Sequence, residues 1–377
     1  MKISKSIKTL DESDIGDNLL HYDYNVNYLL SLMKKGVSED DQHFLSSYRS
    51  FEGEVFENFV YEKLLMYAAN SDNIEKFVLK GFHQDKIKSH ANTLSISEKQ
   101  QIVYRTKSRE ISEFDAMFIT KDNELYFVEM TLVKSVLKLR KRLRKKKALL
   151  EIIFPNYEIK ALIILNEGAT GVRQLPPYCS VWLTNEFSAK GVLEHIVATD
   201  AKKLLPKKRV TSQKMIEAHT LKLHPFRYYN TISWITKMLR SHKKYVLDIN
   251  FLMSQKVQRY HDLYNKFYVG YILASEMREE LNLDKSIKDD HKVIVALEKK
   301  HSDEIVVTYY VQQTRKILFL YSYDDSGKIV KEKKDPYGIT VTEVYHVNKM
   351  MDEHYFLNRA HIETIKKLLE EKTHPQE

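Results

Sequence analysis

The feature that most constrains this chain is a run in its first half in which two strands, a helix and a third strand follow one another with little between them. Glu113-Phe114-Asp115-Ala116-Met117-Phe118-Ile119 reads as a strand, Lys121-Asp122-Asn123-Glu124 as a polar turn, and Leu125-Tyr126-Phe127-Val128-Glu129-Met130 as the second arm of a hairpin. Leu132, Val136, Leu139, Leu143, Leu150 and Ile153 then recur at helical spacing, and Pro155 ends that helix. Ile159–Leu165 is a continuous apolar run of the buried-strand type, and Cys179–Thr184 offers another. Ahead of the hairpin, Phe51, Val55, Phe56, Phe59, Val60, Leu64 and Tyr67 form the apolar face of an amphipathic helix that should end near Asn70. Short strands are expected over Phe77–Phe82 and Gln101–Thr106. Read as a string, this is an α/β core built on a mixed central sheet flanked by helices.

The rest of the chain is arranged around that core. Residues 1–50 are expected to be an N-terminal helical region, with a helix from about Ile7 to Met33, and 51–200 the core. Residues 201–230 read as a linker, in which Lys202, Lys203, Lys207, Lys208 and Arg209 surround Pro206. Residues 231–377 read as a C-terminal α+β domain. Its helices lie between about Thr231 and Leu283, followed by an antiparallel meander (Lys292–Glu298, Glu304–Gln312, Lys316–Tyr323, Gly338–Tyr345) and a closing helix over about Leu357–Glu371.

With 43% hydrophobic and 11% aromatic residues, a chain of 377 residues can bury a real core, which excludes wholesale disorder. No stretch approaches the roughly 20 apolar residues of a membrane span. The first residues lack the apolar stretch of a secretory signal, and the single Cys179 cannot form an internal disulfide, so a cytoplasmic protein with no membrane partner is expected. The net charge of +9 is local: nine basic residues and no acidic one lie between Lys134 and Lys147, so the remainder of the chain sums to zero. A focused patch on a rigid helix attracts phosphates, whereas diffuse basicity mainly sets solubility.

Acids stand where the strand pattern least expects them. Asp115 follows Phe114 inside a strand, and Glu129 ends a run of apolar residues; such positions take a carboxylate only when it is paired or bound to a metal. Alternation along a strand puts Glu113 and Asp115 on one face, and hairpin pairing could bring Glu129 beside them. Clustered carboxylates repel, and oxygen-only ligands favour a hard cation, Mg²⁺ or Mn²⁺. Glu57, beside the apolar face of the Phe51 helix, could reach the same place. No P-loop and no H-E-x-x-H pattern occurs.

The element order, the G-x-x-F-E-x-x-V helix (Gly53, Phe56, Glu57, Val60), the E-F-D strand (Glu113 to Asp115) and the L-Y-F-V-E-M-T strand (Leu125 to Thr131) resemble the PD-(D/E)xK nuclease superfamily over about residues 51–185. The resemblance implies a restriction-endonuclease-like core in which Glu57, Asp115 and Glu129, with the Met130 carbonyl as a fourth ligand, hold Mg²⁺ or Mn²⁺. It also implies phosphodiester hydrolysis in restriction, repair or defence. Thr131 stands where the family has its catalytic Lys, so Lys134 or Lys138 reaches in from the following helix, or the metal alone activates water, or the site is inactive. Lys138, Arg140, Lys141, Arg142, Arg144, Lys145, Lys146 and Lys147 are the expected nucleic-acid contacts, to DNA before RNA, with a homodimer left open. The competing reading is a catalytically inactive nuclease-fold protein that binds nucleic acid or serves as an assembly or sensor subunit.

Overall fold

Asp41 starts the longest helix of the first half. Its carboxylate accepts the backbone N–H groups of His43 (2.8 Å) and Phe44 (3.3 Å), satisfying two donors that the first turn leaves open. That helix, α2 (Gln42–Asn70), follows the shorter α1 (Asn27–Lys34). It therefore begins nine residues before the apolar periodicity at Phe51 does, because the cap and not a hydrophobic face sets its start. The computed structural model describes residues 15, 17–84, 91–107, 109–185, 187–199, 212–238, 251, 254–300, 304–314, 317–323, 329–331 and 356–373. The single helix expected over Ile7–Met33 is not found where that stretch is described: a 3-10 turn at Asn18–His21 and a non-helical segment precede α1. The basic cluster around Pro206 lies outside the described residues.

Two units divide the chain, residues 1–226 and 227–377. In the first, the strands are β1 (Ile74–Leu79), β2 (Thr93–Ile96), β3 (Ile102–Arg105), β4 (Glu110–Phe114), β5 (Ala116–Thr120) and β6 (Glu124–Thr131). Then come α3 (Leu139–Ile153), β7 (Glu158–Asn166), β8 (Cys179–Thr184), α4 (Lys190–Ala198) and β9 (Met215–Glu217). The central sheet has the order β8-β7-β6-β5-β1-β9. β5 pairs antiparallel with both β1 and β6, while β6 and β7, and β7 and β8, pair parallel. This is the mixed sheet expected from a tight hairpin followed by a helical crossover, since only the crossover lets neighbouring strands run the same way. Asn123, at φ 61°, takes the left-handed conformation at the hairpin turn, which asparagine tolerates better than most residues. Val55, Phe56, Val60 and Leu64 of α2 are buried, and Phe56, Val60 and Leu64 share a core with Phe77, Phe118, Val128 and Ile164 of the sheet.

One expected strand is two. Glu113 to Ile119 breaks at Asp115: β4 belongs to a separate three-stranded antiparallel sheet, β2-β3-β4, and β5 to the central one. Glu113 and Asp115 consequently do not alternate along one ladder. The basic helix also starts at Leu139, not at Leu132.

The second unit contains α5 (Tyr228–Met238), α6 (Gln255–Tyr264), β10 (Lys266–Leu273), α7 (Ala274–Met277), β11 (Lys292–Lys299), β12 (Ile305–Thr314), β13 (Ile317–Tyr323), β14 (Ile329–Lys331) and α8 (Arg359–Thr373). Strands β10 to β14 form one antiparallel meander in sequence order. β10 lies in a stretch expected to be helical; it is buried along most of its length against β11, and that pairing decides its conformation. The expected strand Gly338–Tyr345 lies outside the described residues. Among the described residues, no helix is long and apolar enough to cross a membrane.

Candidate active site

Asp115 sits at the bend where the chain passes from the small sheet into the central one. It is buried, and its Oδ2 accepts the backbone N–H of Met130 on β6 at 2.7 Å. Met130 thus meets Asp115 through its N–H, where its carbonyl was the expected ligand. Oδ1 of Asp115 accepts no hydrogen bond from any described residue.

Glu129, next to Met130 on β6, is only 2% exposed and receives two cations from α3. Lys146 Nζ lies 2.6 Å from Oε2, and the Arg142 guanidinium pairs with Oε1. Burial alone would lower the Lys146 ammonium, but the charges of Glu129 and Asp115 outweigh it and hold that pKa above the ordinary lysine value. The same ammonium lies 5.6 Å from the centre of the Phe114 ring.

Lys146 is the residue that sequence reasoning misassigned, placing it with the surface charges. A clue was present: Leu139, Leu143 and Leu150 step along the buried side of α3, and Lys146 occupies the position between Leu143 and Leu150 on that same stripe. A lysine on a core stripe needs a carboxylate partner.

Glu57, from α2, completes the group. Its Oε1 is 3.3 Å from Lys80 Nζ, and the same ammonium donates to Gln101 Oε1 at 2.9 Å. Lys80, at the end of β1, is itself buried; Tyr61 accepts its backbone N–H at 2.8 Å and lies under its ammonium, 5.0 Å from ring centre to Nζ. Burial lifts the Glu57 carboxyl to about 7, with Asp115 and Glu113 adding to the rise and Lys80 opposing it. Asp115 therefore acts on Glu57 at one side and on the Glu129–Lys146 pair at the other. Lys80 and Gln101 were not foreseen, because nothing in their local sequence distinguishes them.

The other expected residues are placed elsewhere. Thr131 Oγ1 accepts the Val133 N–H at 3.3 Å, a local turn contact. Lys134 and Lys138 are exposed, and among the described residues neither side chain pairs with any acid. The basic run is not one solvated face: Arg142 and Lys146 are drawn to Glu129, and Lys147 pairs with Glu151 and lies over the Tyr178 ring. The acids that compensate it are supplied from outside residues 134–147 in sequence, where a local count could not find them.

Oxygen donors are the right chemistry for a hard divalent cation. The fit is partial. Asp115 Oδ1 and Glu57 Oε2 accept nothing from the described residues, whereas both oxygens of Glu129 are occupied by cations. Among the described residues, no three His, Cys, Asp or Glu side chains are grouped so as to hold a metal ion. Asp115 and Glu57 thus each keep one oxygen without a partner among the described residues, and Glu129 is engaged with lysine and arginine instead. No family model, no curated protein and no solved structure matches the chain.

Proposed function

We propose that the unit containing this site is a metal-dependent nuclease, hydrolysing phosphodiester bonds of DNA on a restriction-endonuclease-like core. The observation that carries the reading is the buried Lys146–Glu129 contact at 2.6 Å. It provides, from α3, the ammonium that Thr131 does not supply, beside an aspartate with an oxygen to spare. The element order of α2, β1, β5, β6, α3 and β7 supports the same core.

In this reading Asp115 and Glu57 hold Mg²⁺ or Mn²⁺. A bound divalent cation would polarise a phosphoryl oxygen and lower the pKa of the attacking water. The Met130 N–H fixes Asp115 through Oδ2 and leaves Oδ1 for ligation. Lys80 holds Glu57 from the other side. Glu129 keeps Lys146 protonated and fixed in direction, so that its ammonium stabilises the negative charge that develops on the phosphate during attack. Arg142, half exposed, shares Glu129 with Lys146 and helps to hold that carboxylate in place.

The test is plasmid and single-stranded DNA incubated with Mg²⁺ or Mn²⁺, beside Asp115→Ala, Glu129→Ala and Lys146→Met. Cleavage should be lost in the first variant and fall by about 10²- to 10³-fold in the third, the usual worth of one preorganised group that stabilises developing charge. Cleavage unchanged by Asp115→Ala and Glu129→Ala removes the assignment. A second reading, a nuclease-fold protein that binds nucleic acid without cutting it, is favoured by the engagement of both Glu129 oxygens. It predicts salt-sensitive binding and no cleavage with either metal.

A further inference from the structure

We propose that nucleic acid is held by four cations at the carboxyl ends of β6 and β7, Lys134, Lys138, Arg140 and Arg173, and not along the length of α3. The choice of polyanion rests on the nuclease reading; the choice of residues does not. Among the described residues, none of these four side chains has an acidic or hydrogen-bonding partner, while Arg142, Lys146, Lys147 and Lys160 are each paired with a glutamate. A cation already neutralised by a carboxylate gains little from a phosphate, because it must first give up that partner. An unneutralised one releases counterions from the backbone.

The four are brought together by the chain itself. Ser135 and Thr170 form a parallel bridge, and Thr170 donates its N–H (2.8 Å) and its hydroxyl (2.9 Å) to the Lys134 carbonyl. Val136 N–H donates to the Thr170 carbonyl at 3.2 Å, which locks the loop after β6 against the loop after β7. Arg173 follows in that second loop and is exposed. The site residues Asp115 and Glu129 lie at this same end of the sheet, at the start of β5 and near the end of β6. Arg140 adds an independent observation: its Nε is enclosed and has no acceptor among the described residues. A buried donor without an acceptor is costly, and a phosphate oxygen would supply one.

The experiment measures binding without cleavage. Fluorescence anisotropy of labelled DNA and RNA duplexes of one sequence is followed in EDTA over a range of salt, using the full chain. The triple variant Lys134→Gln/Arg140→Gln/Arg173→Gln is expected to bind at least about tenfold more weakly, with a salt slope shallower by roughly 0.9 for each duplex phosphate that is no longer neutralised. The paired-cation variant Lys147→Gln/Lys160→Gln is expected to bind within about twofold of the unaltered chain. Equal losses in the two variants, a loss confined to the second, or no affinity for either duplex at low salt overturns the proposal. If the expected pattern appears in a chain that fails to cleave with Mg²⁺ or Mn²⁺, the nuclease reading falls and the binding surface stands. Cleavage with binding that depends on Lys147 and Lys160 gives the reverse.

Discussion

Lys146 Nζ lies 2.6 Å from Glu129 Oε2, and both side chains are almost wholly withdrawn from water. Removing one member of such a pair leaves an uncompensated buried charge, whereas replacing both with neutral groups of similar shape can cost little. Lys146→Met is therefore expected to destabilise the fold, by about 2–4 kcal/mol, below the worst case because Arg142 continues to serve Glu129. The double variant Glu129→Gln/Lys146→Met should recover at least half of that loss. Urea unfolding of the two singles and the double closes the cycle; additive losses would mean that the pair is not coupled.

Gly81 should be replaceable only at high cost. Its φ is +65°, and a Cβ built there would stand 2.6 Å from Cε1 of the Tyr22 ring. That ring is buried, and its hydroxyl is hydrogen-bonded to Glu62, so it cannot swing away freely. Gly81→Ala is expected to lose about 2–4 kcal/mol from backbone strain and overpacking together, measured by denaturant unfolding. Tyr22→Ala/Gly81→Ala should show less than the sum of its singles if the ring is the obstacle.

Cys179 gives a direct reading of how closed the central sheet is. Burial pushes its thiol up to about 12, against a smaller opposing effect of Lys147. The folded protein is expected to leave this sole cysteine unmodified by Ellman's reagent at about pH 8, because the thiolate is the reacting form, and guanidinium-unfolded chain should release one equivalent. Rapid labelling of the folded chain would show that β8 opens readily.

Local periodicity made some of this legible from sequence and tertiary contacts hid the rest. α3, β6, β7 and β8 follow runs whose apolar residues are mostly buried and recur at the spacing of their own element, so they could be read without a partner. Asp115 and Glu129 stood out because acids broke those runs. The bend at Asp115 did not, since a strand that changes sheets keeps its β character on both sides. Lys146 was hidden by its neighbours: in a segment of nine basic residues, the buried one is marked only by its phase relative to Leu143 and Leu150. Lys80–Glu57 and His83–Glu62 join residues 23 and 21 apart, across the end of β1, where no motif points from one to the other.

That second contact sets an acid limit to stability. Glu62, fully buried on α2, receives His83 Nε2 at 2.7 Å, the Tyr22 hydroxyl, and Asn18 Nδ2 at 2.8 Å. Burial alone would raise its pKa, but the hydrogen bond and charge of His83, with Tyr22 and Asn18, outweigh burial and place it below the ordinary value of 4.5. The folded state then keeps Glu62 ionised where the unfolded chain already binds a proton. The stability this gives is complete above the unfolded value and is lost as pH falls through the folded one. Glu62→Gln should cost about 1–3 kcal/mol at neutral pH and less as the solution is acidified below pH 4.5, so that the stabilities of the two proteins converge in acid. Unfolding free energies at a series of pH values check it; a constant difference between the two proteins down the acid limb would show that Glu62 titrates alike in both states.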